Sequence, residues 1–314
     1  MFPFVEKRKI AYLVVAAILL IAIVSFFIHG FNLDIQFQGG TELKYTMVDK
    51  DFNTEKAQKL ISDELKKIAN VISSNDFAKE VYYLDVRVAS SQTLTAEEIN
   101  KVTDILTKNG YKLTGQKDVN SINPSIGAEY MGKGLLAVLI ALILIIIYIG
   151  IRFKAISGWS AGVIATIAIL SDALLMISIY LIFNIALNES FIAGVLTVIG
   201  YSINDKIIIY DRIRENSLGR RKGTHTEIVN LSIYQTLTRS IYTALTAIMS
   251  LAVVFILATM FQISSVAQFA FPMIIGVAFG CLSSIFIAAP MLGAYKEANS
   301  QTTSKGATTA RARR

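Results

Sequence analysis

Two carboxylates, one lysine and one arginine occur in, or at the edge of, long apolar stretches of this sequence. Asp172 interrupts an otherwise uncharged apolar run, Asp205 and Lys206 are followed by four further apolar residues, and Arg239 precedes another uncharged stretch. An ionisable side chain inside a membrane helix is costly and usually functional. Removal from water favours the neutral form of a carboxylate, and an approaching cation favours the charged form. This is the chemistry of a proton site that responds to conformation.

The spacing around these charges places small and polar side chains on defined helical faces. Direct neighbours on a helix point about 100° apart, so Asp205 and Lys206 are not expected to face each other. Lys206 is expected to extend its long side chain to the cytoplasmic headgroups. Asp205 continues a small and polar stripe formed by Gly194, Thr197 and Tyr201.

Two more helical faces belong to the same region of the sequence. The first is a polar line that runs beyond Arg239 through Thr243, Thr246 and Ser250. Arg239 alone is equally typical of an ordinary positive residue at a cytoplasmic membrane boundary. The second face is a small-residue repeat, every four positions, of Gly276, Gly280 and Ser284. Such a repeat predicts close packing between membrane helices.

Apolar residues are concentrated in runs that are long enough to cross a membrane. Hydrophobic residues make up 54% and charged residues 17% of the 314-residue chain, whereas soluble domains usually carry about 25% charged residues. A bilayer core requires about 20 apolar residues as helix. The sequence therefore predicts an α-helical membrane protein whose six transmembrane helices lie at about 10–28, 134–151, 158–181, 190–210, 240–259 and 268–292. The first span is too long for the apolar region of a cleaved signal peptide.

Lysine and arginine residues flank these spans on one side of the predicted membrane. They precede the first span, follow the second, fourth and sixth, and are missing from the turns at 184–189 and 260–267. By the positive-inside rule, both termini are cytoplasmic and residues 29–133 are exported. Residues 1–28 then form the N-terminus and first helix, 134–295 a five-helix domain, and 296–314 a basic, disordered tail. The net charge of +7 is dispersed over several loops, which argues against nucleic acid as a partner.

The exported segment has the size and pattern of a small α+β domain. Asn53 is placed to cap a helix that runs to about residue 69, and Thr95 with Glu98 forms a capping box before a second helix. Strand patterns cover 41–48, 81–89 and about 112–119, with a short strand near 70–73. The resulting order, β-α-β-β-α-β, predicts a ferredoxin-like fold.

The sequence offers little for catalysis or metal binding. Cys281 is the single cysteine, which excludes an intrachain disulfide and a cysteine-based metal cluster. The predicted topology separates His29 from His225 on opposite sides of the membrane. We therefore expect no metal site, no cofactor and no enzymatic activity.

Three groups of motifs resemble those of a known family. They are Gly200–Asp205 with Asp211–Asn216, Asn230–Ile233 with Gln235–Ser240, and Ser283–Ala288 with Pro290. With the architecture of one helix, an exported domain and five helices, they resemble the SecF subunits of the bacterial SecDF protein-export complex, which are RND-type transporters. The resemblance covers nearly the whole chain.

The resemblance implies roles for the charged residues named above. Asp205, Arg239 and Asp172 would take part in proton coupling, and Lys206, Tyr201 and Ser171 would modulate it. Three positions depart from the family pattern: Lys206 replaces a small residue, Ser171 replaces a histidine, and Gln36 replaces an aspartate. Lys206 would place a second charge beside the central carboxylate, which raises the question of how efficiently the site couples to protons.

The resemblance also implies a cellular role. The chain would be a subunit of the Sec translocation machinery in the inner (cytoplasmic) membrane, using the proton motive force with SecD to assist late protein export. Its partners would be SecD, the Sec channel and its accessory membrane proteins, unfolded exported polypeptides and membrane lipid. A non-titrating scaffold that holds SecD and the channel together is the alternative, motivated by neutralisation of Asp205 by Lys206. A small-molecule pump is disfavoured because the exported domain of about 100 residues is small.

Overall fold

The computed structural model describes residues 2–48, 52–76, 81–90, 93–122, 124–219 and 223–299. In chain order its elements are α1 (Arg8–His29), α2 (Ile35–Gln38), β1 (Gly40–Met47), α3 (Thr54–Leu65), β2 (Ala69–Asp76), β3 (Val81–Ala89), α4 (Ala96–Lys108), β4 (Leu113–Ile122), α5 (Pro124–Arg152), α6 (Gly158–Ile182), α7 (Glu189–Leu218), α8 (His225–Met260) and α9 (Ser264–Ser283). A π-helical segment, Ser284–Ala288, continues α9. The predicted tail from 300 onward and the basic residues at 220–222 lie outside the described residues.

Six helices in the described part of the chain are long and apolar enough to cross a membrane. They are α1, α5, α6, α7, α8 and α9 with its continuation, and they include all six predicted spans. α8 is one continuous helix that contains the predicted span 240–259, and the turn before α9 falls within the predicted turn at 260–267. Four helices extend well beyond the predicted spans: α5 begins at Pro124, α7 continues to Leu218, α8 begins at His225, and the last helix continues to Asn299 rather than ending before residue 296. Hydropathy does not predict these extensions, because the added turns are polar.

The segment between α1 and α5 folds around a four-stranded antiparallel sheet of order β2-β3-β1-β4. α3 follows β1 and α4 follows β3, so the element order β-α-β-β-α-β is the predicted one. Asn53 caps α3, and Thr95 with Glu98 forms the predicted capping box. The two helices bury the stripe Ala57, Ile61, Val102 and Leu106 against the strands. Apolar periodicity and capping residues therefore predicted the order of these elements and the starts of the two helices.

The small-residue repeat of α9 lies where α9 approaches α7. A Cβ atom added at Gly276 would lie 2.3 Å from Val198 Cγ2 and 2.8 Å from Met176 Sδ. A Cβ atom added at Gly280 would lie 3.0 Å from Ser202 Oγ. Side chains at these two positions would force the helices apart, so the glycines allow α7 and α9 to pack closely.

A backbone connection joins the α/β domain to the start of α7. Leu33 and Leu187 form a parallel β-bridge, in which the Asp34 N–H donates to Leu187 O at 2.9 Å and the Leu187 N–H donates to Asn32 O at 2.8 Å. The Gln36 amide donates to Glu189 Oε1 at 3.1 Å. We call residues 32–36 the hinge segment. Leu187 directly precedes Asn188, which caps α7 through the Phe191 N–H. The hinge segment is therefore bonded directly to the N-terminus of that helix.

Arg87 of β3 fixes the hinge segment to the sheet. Its Nη1 lies 2.7 Å from Asp34 Oδ2, and its Nε lies 2.9 Å from Glu42 Oε1. The other Asp34 oxygen accepts from the Ile35 N–H at 2.8 Å and caps α2. Charged donors and acceptors make the stronger class of hydrogen bond. Arg87 therefore links the sheet, through Asp34, to the segment that contacts α7.

Candidate functional site

A buried polar cluster joins α6, α7 and α9 in the helix bundle. The Lys206 ammonium donates to Asp172 Oδ2 at 3.1 Å, to Ser202 Oγ at 2.6 Å and to Ser283 Oγ at 3.0 Å. Ser284 Oγ lies 3.4 Å from the same nitrogen. The Ser202 hydroxyl donates in turn to Asp172 Oδ2 at 2.7 Å. Three donor positions on the ammonium thus meet acceptors from three separate helical segments.

Burial of this cluster is nearly complete. The side chains of Lys206 and Asp172 are 0% and 1% exposed. The expectation that Lys206 reaches the cytoplasmic headgroups is therefore wrong. Leaving the cluster would strand the Asp172 carboxylate without its counter-charge, and an unpaired buried charge is more costly than a paired one. Lys206 stays inside because its acceptors lie on neighbouring helices.

Local helix geometry brings the members of the cluster together. Ser202 and Lys206 are four residues apart on α7 and therefore share one face. Gly280 lets α9 approach Ser202 closely, and the π-helical winding starts at Ser284, directly after Ser283. Short π-helical segments are frequent at functional sites. A change of winding at this point presents both serines to the same ammonium group.

Asp205 points away from this cluster, towards α8. Its side chain is 2% exposed and lies beside the Ser240 hydroxyl and the Cys281 thiol, with the charges of Lys206 and, more weakly, Arg239 within electrostatic reach. Among the described residues, its Oδ2 atom has no hydrogen-bond partner. The prediction that Asp205 and Lys206 do not face each other is confirmed. Each carboxylate keeps one oxygen without a partner among the described residues, but only Asp172 has a cation, Lys206, within salt-bridge distance in that part of the chain.

Of the remaining predicted polar site residues, Tyr201 and Arg239 lie near Asp205, whereas Ser171 belongs to neither environment. Tyr201 lies one turn before Asp205 on α7 and is within electrostatic reach of its carboxylate. Arg239 is exposed on α8. The Ser171 hydroxyl donates to Ala168 O at 2.7 Å, within its own helix, so it satisfies its bond away from the Lys206 cluster.

Sequence reasoning did not assign Ser202, Ser283, Ser240 or Cys281 to these environments. A signal for Ser202 was available, since it precedes Lys206 by one helical turn. The other three lie on helices whose approach to α7 depends on packing. Among residues that the structure describes, no group of three or more His, Cys, Asp or Glu side chains is placed to hold a metal ion. The paired and unpaired carboxylates are the distinguishing chemistry of this bundle.

Comparisons with known proteins relate this chain to protein-export membrane proteins. A family model described as "Protein export membrane protein SecD/SecF, C-terminal" matches residues 101–298. The protein translocase subunit SecF of Rickettsia typhi is 33% identical over 296 residues, which cover 93% of this chain and 91% of the relative. The protein translocase subunit SecDF of Bacillus subtilis is 31% identical over 93% of this chain, which spans 38% of that relative.

A solved structure has the same architecture over nearly the whole chain. The crystal structure of SecDF, a translocon-associated membrane protein from Thermus thermophilus, matches with a TM-score of 0.73 and 28% sequence identity. The match covers 94% of this chain and 38% of that one. The six long helices and the small antiparallel sheet therefore form a SecDF-like fold.

Proposed function

The chain belongs to the SecD/SecF family of protein-export membrane proteins and is a multi-pass membrane subunit of the Sec protein translocase, and we propose that it uses the proton motive force, together with SecD, to assist late protein export. In this proposal Asp205 is the titrating group and Arg239 is its conformational partner. Asp172 and Lys206 set the geometry around it, with Tyr201 beside the titrating carboxylate.

The observation that carries the proposal is the environment of Asp205. An almost fully buried carboxylate within a membrane-spanning helix, with one oxygen unpaired in the described part of the chain, is energetically sensitive to its surroundings. A proton removes its charge, and a nearby cation stabilises it. Movement of Arg239 relative to Asp205 would therefore change how readily the carboxylate binds a proton, which couples proton flow to conformation.

The hinge segment supplies a path from that site to the exported domain. α7 carries Asp205, and its N-terminus is bonded to residues 32–36, which Arg87 ties to the sheet. A displacement of α7 would thus be transmitted to the α/β domain through backbone hydrogen bonds and one buried ion pair. This connection supports a role in which the exported domain moves as protons cross the membrane.

The test compares two aspartates of the same helix. Asp205→Asn removes the titrating group, whereas Asp211→Asn changes a partly exposed aspartate that lies near Arg152 and Arg214 at the end of the span. Inverted membrane vesicles with an imposed proton gradient would translocate a reporter polypeptide. We expect Asp205→Asn to lose the gradient-dependent increase in translocation and Asp211→Asn to retain it. Equal gradient dependence in both variants would contradict the proposal.

Location and partners are part of the same proposal. We place the chain in the inner (cytoplasmic) membrane, with both termini in the cytoplasm and residues 29–133 exported, because basic residues flank the spans on one side. Its proposed partners are SecD, the Sec channel with its accessory membrane proteins, unfolded exported polypeptides and membrane lipid. We further propose a transport role without enzymatic chemistry or a bound cofactor, driven by the proton gradient.

A scaffold that holds SecD and the channel together is the second candidate. Neutralisation of Asp205 by Lys206 does not support this role, because Lys206 is bound by Asp172. The Asp172–Lys206 pair favours the scaffold, because it balances the charge of one intramembrane carboxylate without any proton. The scaffold would be favoured if a double Asp205→Asn, Lys206→Thr variant still supports export and if that export does not increase with the proton gradient.

A further inference from the structure

The Lys206 ammonium occupies a cage of oxygen atoms contributed by four other side chains. Asp172, Ser202, Ser283 and Ser284 place one oxygen each between 2.6 and 3.4 Å from Nζ. Three of these ligands are neutral hydroxyls and one is a carboxylate. Removing the lysine would leave a convergent set of oxygens around a single negative charge, in a fully buried position.

Charge and size define which ion such a cage fits. A single carboxylate balances one positive charge. The oxygen distances are longer than the roughly 2.0–2.6 Å at which Mg²⁺ and Ca²⁺ hold their ligands. They suit an ammonium group or a monovalent ion of similar size, such as K⁺. The second Asp172 oxygen, Oδ1, is buried and has no hydrogen-bond partner among the described residues, so the cage also has one acceptor to spare.

We infer that Asp172, Ser202, Ser283 and Ser284 form a binding site for a monovalent cation, which this chain fills with its own Lys206 side chain. The lysine acts as a tethered cation. It keeps α6, α7 and α9 joined whatever ions the surrounding solution contains. A chain without the lysine would need K⁺, ammonium or a small alkylammonium ion from solution to join the same helices.

The test removes the tethered cation and supplies free ones. Lys206→Ala deletes three methylenes and the nitrogen, which are the atoms of propylammonium. The full chain would be purified in detergent, and its melting temperature would be measured with choline, sodium, potassium, ammonium or propylammonium chloride at constant ionic strength. We expect the unaltered chain to melt at the same temperature in every salt.

For Lys206→Ala we expect a lower melting temperature in choline and a saturable recovery with potassium, ammonium and propylammonium. At roughly a hundredfold excess over the dissociation constant, the recovery should reach about 5 °C. Lys67→Ala, which removes a partly exposed lysine from its pair with Glu98, is the matched control and should respond to no particular cation. The double variant Lys206→Ala, Asp172→Asn should lose the recovery, because the charge of the cage is gone.

Equilibrium binding of ⁸⁶Rb⁺, a K⁺ analogue, gives an independent readout. Lys206→Ala should bind it, and adding Asp172→Asn should weaken binding by at least about tenfold. If Lys206→Ala is recovered folded only when potassium or an ammonium ion is present, the inference is supported. The inference is overturned if Lys206→Ala fails to fold in every one of these salts while Lys206→Met folds. It is also overturned if choline stabilises Lys206→Ala as well as potassium does.

Discussion

Arg87 offers a sharp perturbation of the connection between the α/β domain and α7. We consider Arg87→Met, which keeps much of the side-chain volume and removes the guanidinium. Asp34 then loses the donor at 2.7 Å, and Glu42 loses the donor at 2.9 Å. Asp34 is the residue most affected, because its side chain is fully buried, whereas Glu42 is 23% exposed and can be hydrated.

The magnitude follows from the burial of the pair. Removing one partner of a buried ion pair costs about 3–5 kcal/mol. We take about 3 kcal/mol, because Asp34 keeps its bond from the Ile35 N–H and Arg87 itself is 15% exposed. If this loss falls on the local opening of the hinge segment, it corresponds to an increase in the open population on the order of a hundredfold.

Amide hydrogen exchange of the full chain in nanodiscs measures this opening directly. The reporting amides are those of Asp34 and Leu187, which make the two bridge hydrogen bonds, and that of Gly39, which caps α2. Arg87→Met should accelerate exchange in peptides that contain these amides and leave the core of α6 unchanged. Local opening energies of this kind are what native-state exchange reports.

Lys67→Met provides the matched control, since it removes a lysine from an ion pair in which both side chains are over a quarter exposed. Exposed pairs contribute about 0–1 kcal/mol, so the control should change exchange by less than about tenfold and only near α4. The reasoning is refuted if Arg87→Met leaves the bridge amides as protected as Lys67→Met does. Acceleration spread evenly over the whole sheet would instead mean that Arg87 stabilises the domain and not its connection to α7.

Two further predictions concern stability. Burial raises the pKa of Asp85, although the Ser74 hydroxyl and Lys44 act to lower it, so folding is progressively disfavoured as pH rises from the ordinary carboxyl pKa through the raised folded value. Asp85→Asn should therefore slow hydrogen exchange of the β3 amides at neutral pH and weaken the pH dependence of stability on the acid side. Faster exchange in Asp85→Asn at neutral pH would contradict this. Gly276→Ala should destabilise the bundle by about 1–3 kcal/mol, since its Cβ would lie 2.3 Å from Val198. Gly132→Ala in α5, where the added Cβ meets nothing within 4 Å, is the control, and equal denaturation midpoints for the two variants would exclude tight packing at Gly276.

The elements of this protein were predictable where local chemistry decides them. Asn53 and Thr95 cap their helices as their residue types predict, and six apolar runs became six long helices. The start of α5 was missed because its first turns are polar, although proline is favoured in the first turn of a helix. Hydropathy reports where a helix is apolar enough to cross a membrane, whereas capping and first-turn residues report where the helix begins. The spans were defined from hydropathy alone.

The pairing of Asp172 with Lys206 was beyond the reach of sequence reasoning. The two residues are 34 positions apart and meet only because α6 and α7 pack side by side. An isolated lysine near a membrane boundary has the option of reaching the headgroups, and that option is usually favourable. Here three hydroxyls and a carboxylate compete with the headgroups, and their positions are set by helix packing and by the π-helical winding after Ser283.

The orientation of α7 links the two environments of the bundle. Rotation of α7 about its own axis would break the bonds of Lys206 to α6 and α9 and strand two buried charges, so the lysine opposes rotation. Asp205, its direct neighbour, is thereby held towards Ser240 and Cys281. It follows that the surroundings of Asp205 change most easily through α8, whose Arg239 is exposed, and not through turning of α7. In the proposed mechanism Lys206 would fix the direction of the proton site, and movement of α8 relative to α7 would determine when that site binds its proton.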